Sequence, residues 1–168
     1  VVWTDEEGCR FTTKTMGSAA FAKIIDEDAV LNGVDPDGLR FADELERIGY
    51  AGTMPLGSLA MKAYFETHIE QGPILEDEGI PVGAVVGAQG QRCFEVTVTG
   101  EEGHAGTLPM NARKDSYLGA AKMALALNGV AFKHEPHPVI TVGHVRVRPN
   151  SRNTIPGETV FTIDSRHP

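Results

Sequence analysis

What the sequence is short of narrows its function first. It never approaches the ~20 consecutive apolar residues that a membrane-spanning helix requires. Positive charge is also scarce: 15 Lys and Arg stand against 23 Asp and Glu, a formal net charge of −8. Such a surface argues against nucleic acid or an anionic membrane as a partner. There are two cysteines, Cys9 and Cys93, far apart and without a CxxC spacing. That usage suits a reducing cytoplasm and leaves room for one disulfide at most. The opening residues, Val1-Val2-Trp3-Thr4-Asp5, have neither the basic region nor the apolar stretch of a signal peptide. Internal repeats and low-complexity segments are missing as well.

What is present suffices for one ordinary domain or two small ones: 168 residues, 41% of them hydrophobic. Val1 to Thr4 reads as a strand already under way, and Thr159 to Asp164 reads as another that stops at Arg166-His167-Pro168. Both ends therefore predict an excerpt from a longer protein, cut inside a sheet.

The stretch Y-F-E-T-H-I-E-Q-G-P-I-L, Tyr64 to Leu75, organises the rest. Tyr64, Phe65 and Ile69 suit a buried strand that ends at Gly72-Pro73, followed by a short helix from Pro73 to Glu78. Set into it are Glu66, Thr67, His68, Glu70 and Gln71. Buried ionised groups are costly unless they are paired, hydrogen-bonded or bound to a metal. A lone histidine here would read as a core residue, but His68 is placed where an open α/β sheet carries its chemistry, at a strand end. A second polar cluster, Asp5-Glu6-Glu7, ends the first strand, and Gly8 permits a sharp exit. Three adjacent acids repel one another unless a cation or an arginine sits among them. On its own the tripeptide also reads as a solvated acidic turn.

Between these clusters the pattern predicts helix over Ser18 to Ile25, capped by Ser18. A clearer helix follows Asp35-Pro36, with Asp35 as cap, a core stripe of Leu39, Ala42, Leu45 and Ile48, and Gly49 as the stop. Beyond Ile80 the character changes. Pro81 to Gly87 reads as a short apolar strand crossing between domains, and Arg92 to Thr99 alternates as a half-exposed strand does. A glycine-rich turn from Gly100 to Thr107 precedes a helix over Asp115 to Leu127 closed by Asn128-Gly129. Strands are expected over Val139 to Val147 and Glu158 to Asp164. This order is most of a split β-α-β fold with helices on one face.

Four segments taken together carry a resemblance: D-E-E-G-C-R-F (Asp5 to Phe11), E-T-H-I-E-Q-G-P-I-L-E (Glu66 to Glu76), G-H-A-G-T-L-P-M-N-A-R-K-D (Gly103 to Asp115), and N-T-I-P-G with F-T-I-D-S-R-H-P (Asn153 to Pro168). In this order, along the whole chain, they resemble the hydantoinase/carbamoylase branch of the two-metal amidohydrolase and metallopeptidase superfamily. H-I-E-Q-G-P and H-A-G-T-x-P-M are specific signatures, whereas E-E-G alone is weak. The resemblance implies an α/β chain: part of a metallopeptidase-like catalytic domain at residues 1–87, then part of an α+β, ferredoxin-like lid and dimerisation domain at residues 88–168.

It also implies roles. Glu6 would be the general base acting on a bridging water, and Glu7 and His68 would each ligate one of two divalent metals, whether zinc, manganese, cobalt or nickel. Gln71 would contact substrate. His104, in the lid, would reach the partner subunit's site and stabilise the oxyanion, while Asn153 and Arg166 would hold the substrate carboxylate, a task suited to a guanidinium fork. The implied reaction is hydrolysis of the carbamoyl C–N bond of N-carbamoyl-L-amino acids, or of relatives such as allantoate, by a cytoplasmic homodimer. The family's remaining ligands, two histidines and a bridging aspartate, have no counterpart here. Catalytic zinc normally takes three protein ligands, so these residues alone are expected to bind metal poorly and to be inactive.

Two other readings compete. A deacylase or dipeptidase of the same superfamily would share Glu6, Glu7 and the two-domain layout. A non-catalytic dimerisation module would use residues 88–168 as a sheet edge and helix for self-association. Elsewhere, H-E-P-H at His134 to His137, with His144 beyond it, reads as solvated loop and strand more readily than as a metal motif. Arg113 and Asp115 read as capping and pairing at the lid helix, Cys9 as a small buried thiol, and Cys93 as a strand residue.

Overall fold

The computed structural model describes residues 1–11, 13, 15–134 and 138–168. His137 of the H-E-P-H segment therefore lies outside the described residues. The chain forms two compact units, Val1–Gln71 and Gly72–Pro168.

The first unit is a small helical cluster. Its helices are α1 (Met16–Phe21), α2 (Glu27–Leu31) and α3 (Phe41–Arg47). Phe11, Met16, Ala20, Val30 and Phe41 are buried together, with Ile25, Leu31, Leu45 and Leu56 packed around them. Phe11 meets Phe41 edge-on at 5.0 Å between centroids, the geometry that two ring quadrupoles favour. Helix α1 starts earlier than predicted: Thr15 precedes it, and Ser18 does not cap it but bonds back to the Thr15 carbonyl at 3.1 Å. In α2 the side chain of Asp26 caps, accepting from the Ala29 N–H at 3.1 Å.

Helix α3 departs further from expectation. Asp35 does not cap it, because its carboxylate accepts from the N–H groups of Asp37 (3.0 Å) and Leu39 (2.8 Å) and closes a local turn. Short acidic side chains compete with helix formation in this way. The helix begins six residues later, so Phe41 points inward, while Leu39 and Ile48 are left exposed and outside the core stripe. Its end is as predicted. Gly49, at φ +74°, donates to the Glu46 carbonyl (3.0 Å), and Tyr50 donates to Leu45 (2.9 Å), the paired bonds of a Schellman stop.

Neither strand expected in this unit is formed: Val1 to Thr4 and Tyr64 to Ile69 have no ladder partner among the described residues. Phe65 is 93% exposed. Apolar alternation prepares a strand, but only a neighbouring strand makes one, since the backbone bonds run between chains of a sheet.

The second unit is an α+β layer. Helix α4 (Ile74–Asp77) opens it, within the predicted Pro73 to Glu78. The apolar run at Pro81 to Gly87 is irregular and exposed, with no ladder partner among the described residues, and Val86 is fully exposed. Strands β1 (Gly90–Thr99) and β6 (Glu158–His167) then pair antiparallel over ten residues, from Gly90 opposite His167 to Thr99 opposite Glu158. The far edge of β6 takes β3 (Val139–Thr141) and β4 (Val145–Arg148) in succession. These were expected as one strand. The register slips by one residue between them, so the run is bulged at Val142 to His144. A two-residue ladder, β2 (Gly103–His104) with β5 (Thr154–Ile155), lies beyond the Thr99 and Glu158 ends.

Helix α5 (Ser116–Ala131) lies on this sheet, capped by Asp115, which accepts from the Leu118 N–H at 2.9 Å. It passes the predicted stop at Asn128-Gly129, a glycine being a penalty of only about 1 kcal/mol inside a packed helix. Between helix and sheet, Ala120, Phe161 and Ile163 are buried with Val96, Val98, Leu127, Ile140 and Val142. At the crossing of β1 and α5, Gly100 is required because a Cβ there would collide with the Lys114 carbonyl.

Candidate functional site

In the first unit, two segments distant in sequence are brought side by side. The acidic loop turns at Asp5 (φ 52°) and Gly8 (φ 65°), with the Gly8 N–H bonded to the Asp5 carbonyl at 3.3 Å. The Glu6 carbonyl accepts from the Thr15 N–H (2.8 Å), which ties the loop to the start of α1. Two side-chain clasps then join it to the Tyr64–Gln71 segment. Trp3 Nε1 donates to the Tyr64 hydroxyl (2.8 Å), which in turn donates to Glu66 Oε2 (2.7 Å). Gln71 Nε2 donates to Glu7 Oε1 at 2.8 Å. An open cleft beside Glu6 is lined by Trp3, Phe21, Met61, Tyr64 and Glu66.

His68 lies within electrostatic reach of Glu6 and Glu7 of the loop. Its Nδ1 bonds the Ile69 carbonyl, which raises the imidazole above its ordinary range, and the carboxylates of Glu6, Glu66 and Glu7 add to that rise. The arginine nearest in sequence does not sit among the three acids. Arg10 instead pairs with Asp35 (2.8 Å) and Glu44 (2.6 Å), and Glu44 also accepts from Arg47 at 2.8 Å. Among the described residues Asp5 Oδ2 is a buried oxygen without a hydrogen-bond partner.

Glu7 and His68 offer an oxygen and a nitrogen, donors that suit a borderline divalent cation. Their number falls short. Among the described residues no three His, Cys, Asp or Glu side chains gather to hold a metal ion, and a catalytic zinc takes three protein ligands. The donor types fit a metal, therefore, and the donor set is incomplete.

In the second unit His104 and Asn153 are neighbours. His104 pairs with Thr154 across the β2–β5 ladder, and the Ala105 N–H donates to the Asn153 carbonyl at 2.9 Å. His104 Nδ1 accepts from the Gly106 N–H at 3.0 Å. A backbone N–H only donates, so a neutral His104 ring carries its proton on Nε2. A Cβ on Gly106 would stand 3.2 Å from the His104 Cε1, so the bare glycine is what lets the ring lie there. Arg166 is elsewhere, at the far end of β6. It lies eight residues along the strand from Glu158, roughly 27 Å at the usual rise. Its Nε and Nη2 donate to Asp164 Oδ1 (3.1 Å) and Oδ2 (3.0 Å), and Gln91 Nε2 reaches Asp164 Oδ2 at 2.7 Å.

Arg113 does not pair at the start of α5, against expectation. Its guanidinium donates to the carbonyls of Leu108 (3.0 Å) and Ala105 (2.7 Å), within the His104 turn. Motif spacing alone gave no sign of this contact, because it depends on how the turn folds back. Asp115 does cap the helix, as expected. His144 lies in the bulge between β3 and β4, its carbonyl accepting from the Thr162 N–H at 3.0 Å. Cys9, expected to be buried, is exposed and free, because the acidic turn carries it outward; Cys93 is likewise free and exposed in β1.

Comparison with known proteins adds three observations to this geometry. Residues 86–168 match the peptidase dimerisation domain family. An N-carbamoyl-L-amino-acid amidohydrolase of Rhizobium meliloti is 43% identical over 166 residues, covering 99% of this chain and 40% of that protein. A crystal structure of an amidase of the hydantoinase/carbamoylase family from Burkholderia vietnamiensis superposes with a TM-score of 0.84 at 48% identity, over 99% of this chain and 40% of that one. Over nearly its whole length the chain is similar to amidases of the hydantoinase/carbamoylase family. Allantoate amidohydrolase of Escherichia coli (strain K12) is a further relative, 38% identical over 171 residues and matched over 41% of its length. The chain thus spans about two fifths of the length of the hydantoinase/carbamoylase relatives it matches. Among the described residues no helix is long and apolar enough to cross a membrane.

Proposed function

We propose that these residues are part of a metal-dependent amidohydrolase that cleaves the carbamoyl C–N bond of N-carbamoyl-L-amino acids or close relatives such as allantoate, releasing ammonia and CO2. The observation that carries this reading is the meeting of the two signature segments through the bond from Gln71 to Glu7, with His68 in reach of the same acids. The names of the relatives support the substrate class.

A ureido carbon is a poor electrophile. Two divalent ions, bound in part by Glu7 and His68 and completed by ligands outside these 168 residues, would polarise the carbonyl and supply hydroxide near neutral pH. The remaining work falls to the chain's own side chains. Glu6, beside the open cleft, takes a proton from the attacking water and returns it to the nitrogen that leaves as the C–N bond breaks. His104 donates Nε2–H to the oxygen that becomes negative in the tetrahedral intermediate. Gln71 orients substrate while bracing Glu7. Asn153 and Arg166 recognise the substrate carboxylate, and their placement, Asn153 beside the β2–β5 ladder and Arg166 at the far end of β6, favours a clamp shared between two chains of a homodimer. The lid is then residues 88–168 and the catalytic portion residues 1–87, in a cytoplasmic enzyme.

The test is an assay of the full-length protein, with and without chelator, against N-carbamoyl-L-amino acids, allantoate, N-acetyl amino acids and dipeptides. Chelator-sensitive ammonia release from the first two is expected. Hydrolysis of only the last two would reverse the assignment.

A further inference from the structure

The turn that presents His104 is tied to the side chain of Arg113. His104 leaves the β2–β5 ladder, and its carbonyl then accepts from the N–H groups of Thr107 (3.4 Å) and Leu108 (3.2 Å), which closes the turn. The carbonyls of Ala105 and Leu108 both receive the half-buried guanidinium of Arg113, through Nη2 at 2.7 Å and Nε at 3.0 Å. Two donors in one rigid plane fix the spacing of two carbonyls three residues apart. Lysine, a point charge on a flexible stem, offers no such fork.

Within the same turn the Gly106 N–H meets His104 Nδ1 at 3.0 Å, so the position of the backbone sets both the orientation and the tautomer of the ring. Ala105 is the residue between them, bonded by its N–H to Asn153 and by its carbonyl to Arg113. Arg113 thereby holds the backbone that holds the ring.

We propose that Arg113 is a positioning residue for His104, acting through the Ala105 and Leu108 carbonyls and without touching substrate. This rests on the role given to His104 above. Loss of the fork lets the turn relax, the ring leaves the Gly106 N–H, and Nε2–H is no longer aimed where negative charge develops. The expected signature is a fall in kcat with little change in KM, because ground-state binding does not use His104.

The experiment compares His104→Ala, Arg113→Met, Arg113→Lys and the double variant His104→Ala/Arg113→Met in the full-length protein on an N-carbamoyl-L-amino acid. Arg113→Met is expected to lower kcat roughly 10- to 100-fold, the scale of an ångström-sized misplacement. Arg113→Lys should fall between it and the unaltered protein, and the double variant should be no slower than His104→Ala, because residues acting through one another are not additive. Histidine-selective isotope labelling of Arg113→Lys, the variant expected to fold in any case, should show His104 losing its single Nε2–H tautomer. Independent, multiplying losses in the double variant would overturn the proposal, as would an unchanged tautomer in Arg113→Lys. A loss in His104→Ala without one in Arg113→Met would overturn the positioning role alone, whereas unchanged activity in His104→Ala would remove both it and the reading on which it rests.

Discussion

Glu7 and Gln71, 64 residues apart in the chain, meet through a 2.8 Å hydrogen bond in which the amide of Gln71 donates to the carboxylate. Gln71 holds a left-handed backbone, φ 55°, to make it. Non-glycine residues occupy that region rarely and gather at functional sites. Replacing Gln71 by Glu sets one carboxylate against another. In the full-length enzyme, Gln71→Glu is expected to lower kcat/KM roughly tenfold or more, the scale of a small misplacement in a catalytic site. Because the contact is exposed, the thermal midpoint should move little. Steady-state kinetics beside a melting curve separates the two effects, and a large loss of stability with retained activity would contradict the role.

Acid should loosen the first unit through Glu44. Hydrogen bonds from Arg47 and then Arg10 hold its carboxyl down to about 2, against an ordinary 4.5. Asp35 is lowered as well, first by the Leu39 N–H. A carboxyl whose folded value is depressed stabilises the fold above its unfolded value, and that contribution drains away as pH falls toward the folded value. The stabilisation from Glu44 is therefore complete above about pH 5 and is lost between about 4.5 and 2. Denaturant titrations across that window should show Glu44→Gln with a flatter pH dependence than the unaltered protein.

Gly106→Ala tests the seat of His104. The added Cβ would stand 3.2 Å from Cε1 and 3.4 Å from Nδ1 of the ring, closer than ordinary contact, and the imidazole is the part free to give. The variant should keep its stability and its KM while kcat falls about tenfold, as expected when an oxyanion donor is moved and not removed. Unchanged kcat would mean that the ring's present position is irrelevant to turnover.

Legibility in the sequence followed the range of each signal. The alternation of Arg92 to Thr99 and the cap at Asp115 are local, and β1 and α5 stand where they were expected. Asp35 carried an equally good cap signal and spent it on its own turn with Asp37 and Leu39, a competition that spacing cannot resolve. Tyr64 to Ile69 has the composition of a strand, yet pairing depends on a neighbour that composition does not specify. In the site, the motifs marked Glu7, His68 and His104 one at a time. That Arg10 abandons the acidic loop for Asp35 and Glu44 is set by packing across tens of residues, and that Arg113 meets the Ala105 and Leu108 carbonyls depends on how the His104 turn folds back.

The lid should prove least tolerant at Phe161. It lies on β6, the strand that pairs with β1, β3 and β4, and is 1% exposed. Its ring is buried with Ala120 of α5 and Ile163, so both layers of the unit close on it. Phe161→Ala removes that contact and leaves a cavity, a change that costs about 3–5 kcal/mol in a core that cannot collapse around it. Phe94, opposite Ile163 on β1, is half exposed, and Phe94→Ala should cost well under half as much. Urea unfolding of the two variants compares them directly. If the protein dimerises through this lid, Phe161→Ala should also raise the concentration at which light scattering shows dimer, whereas equal midpoints for both variants would mean that β6 is not the centre of the fold.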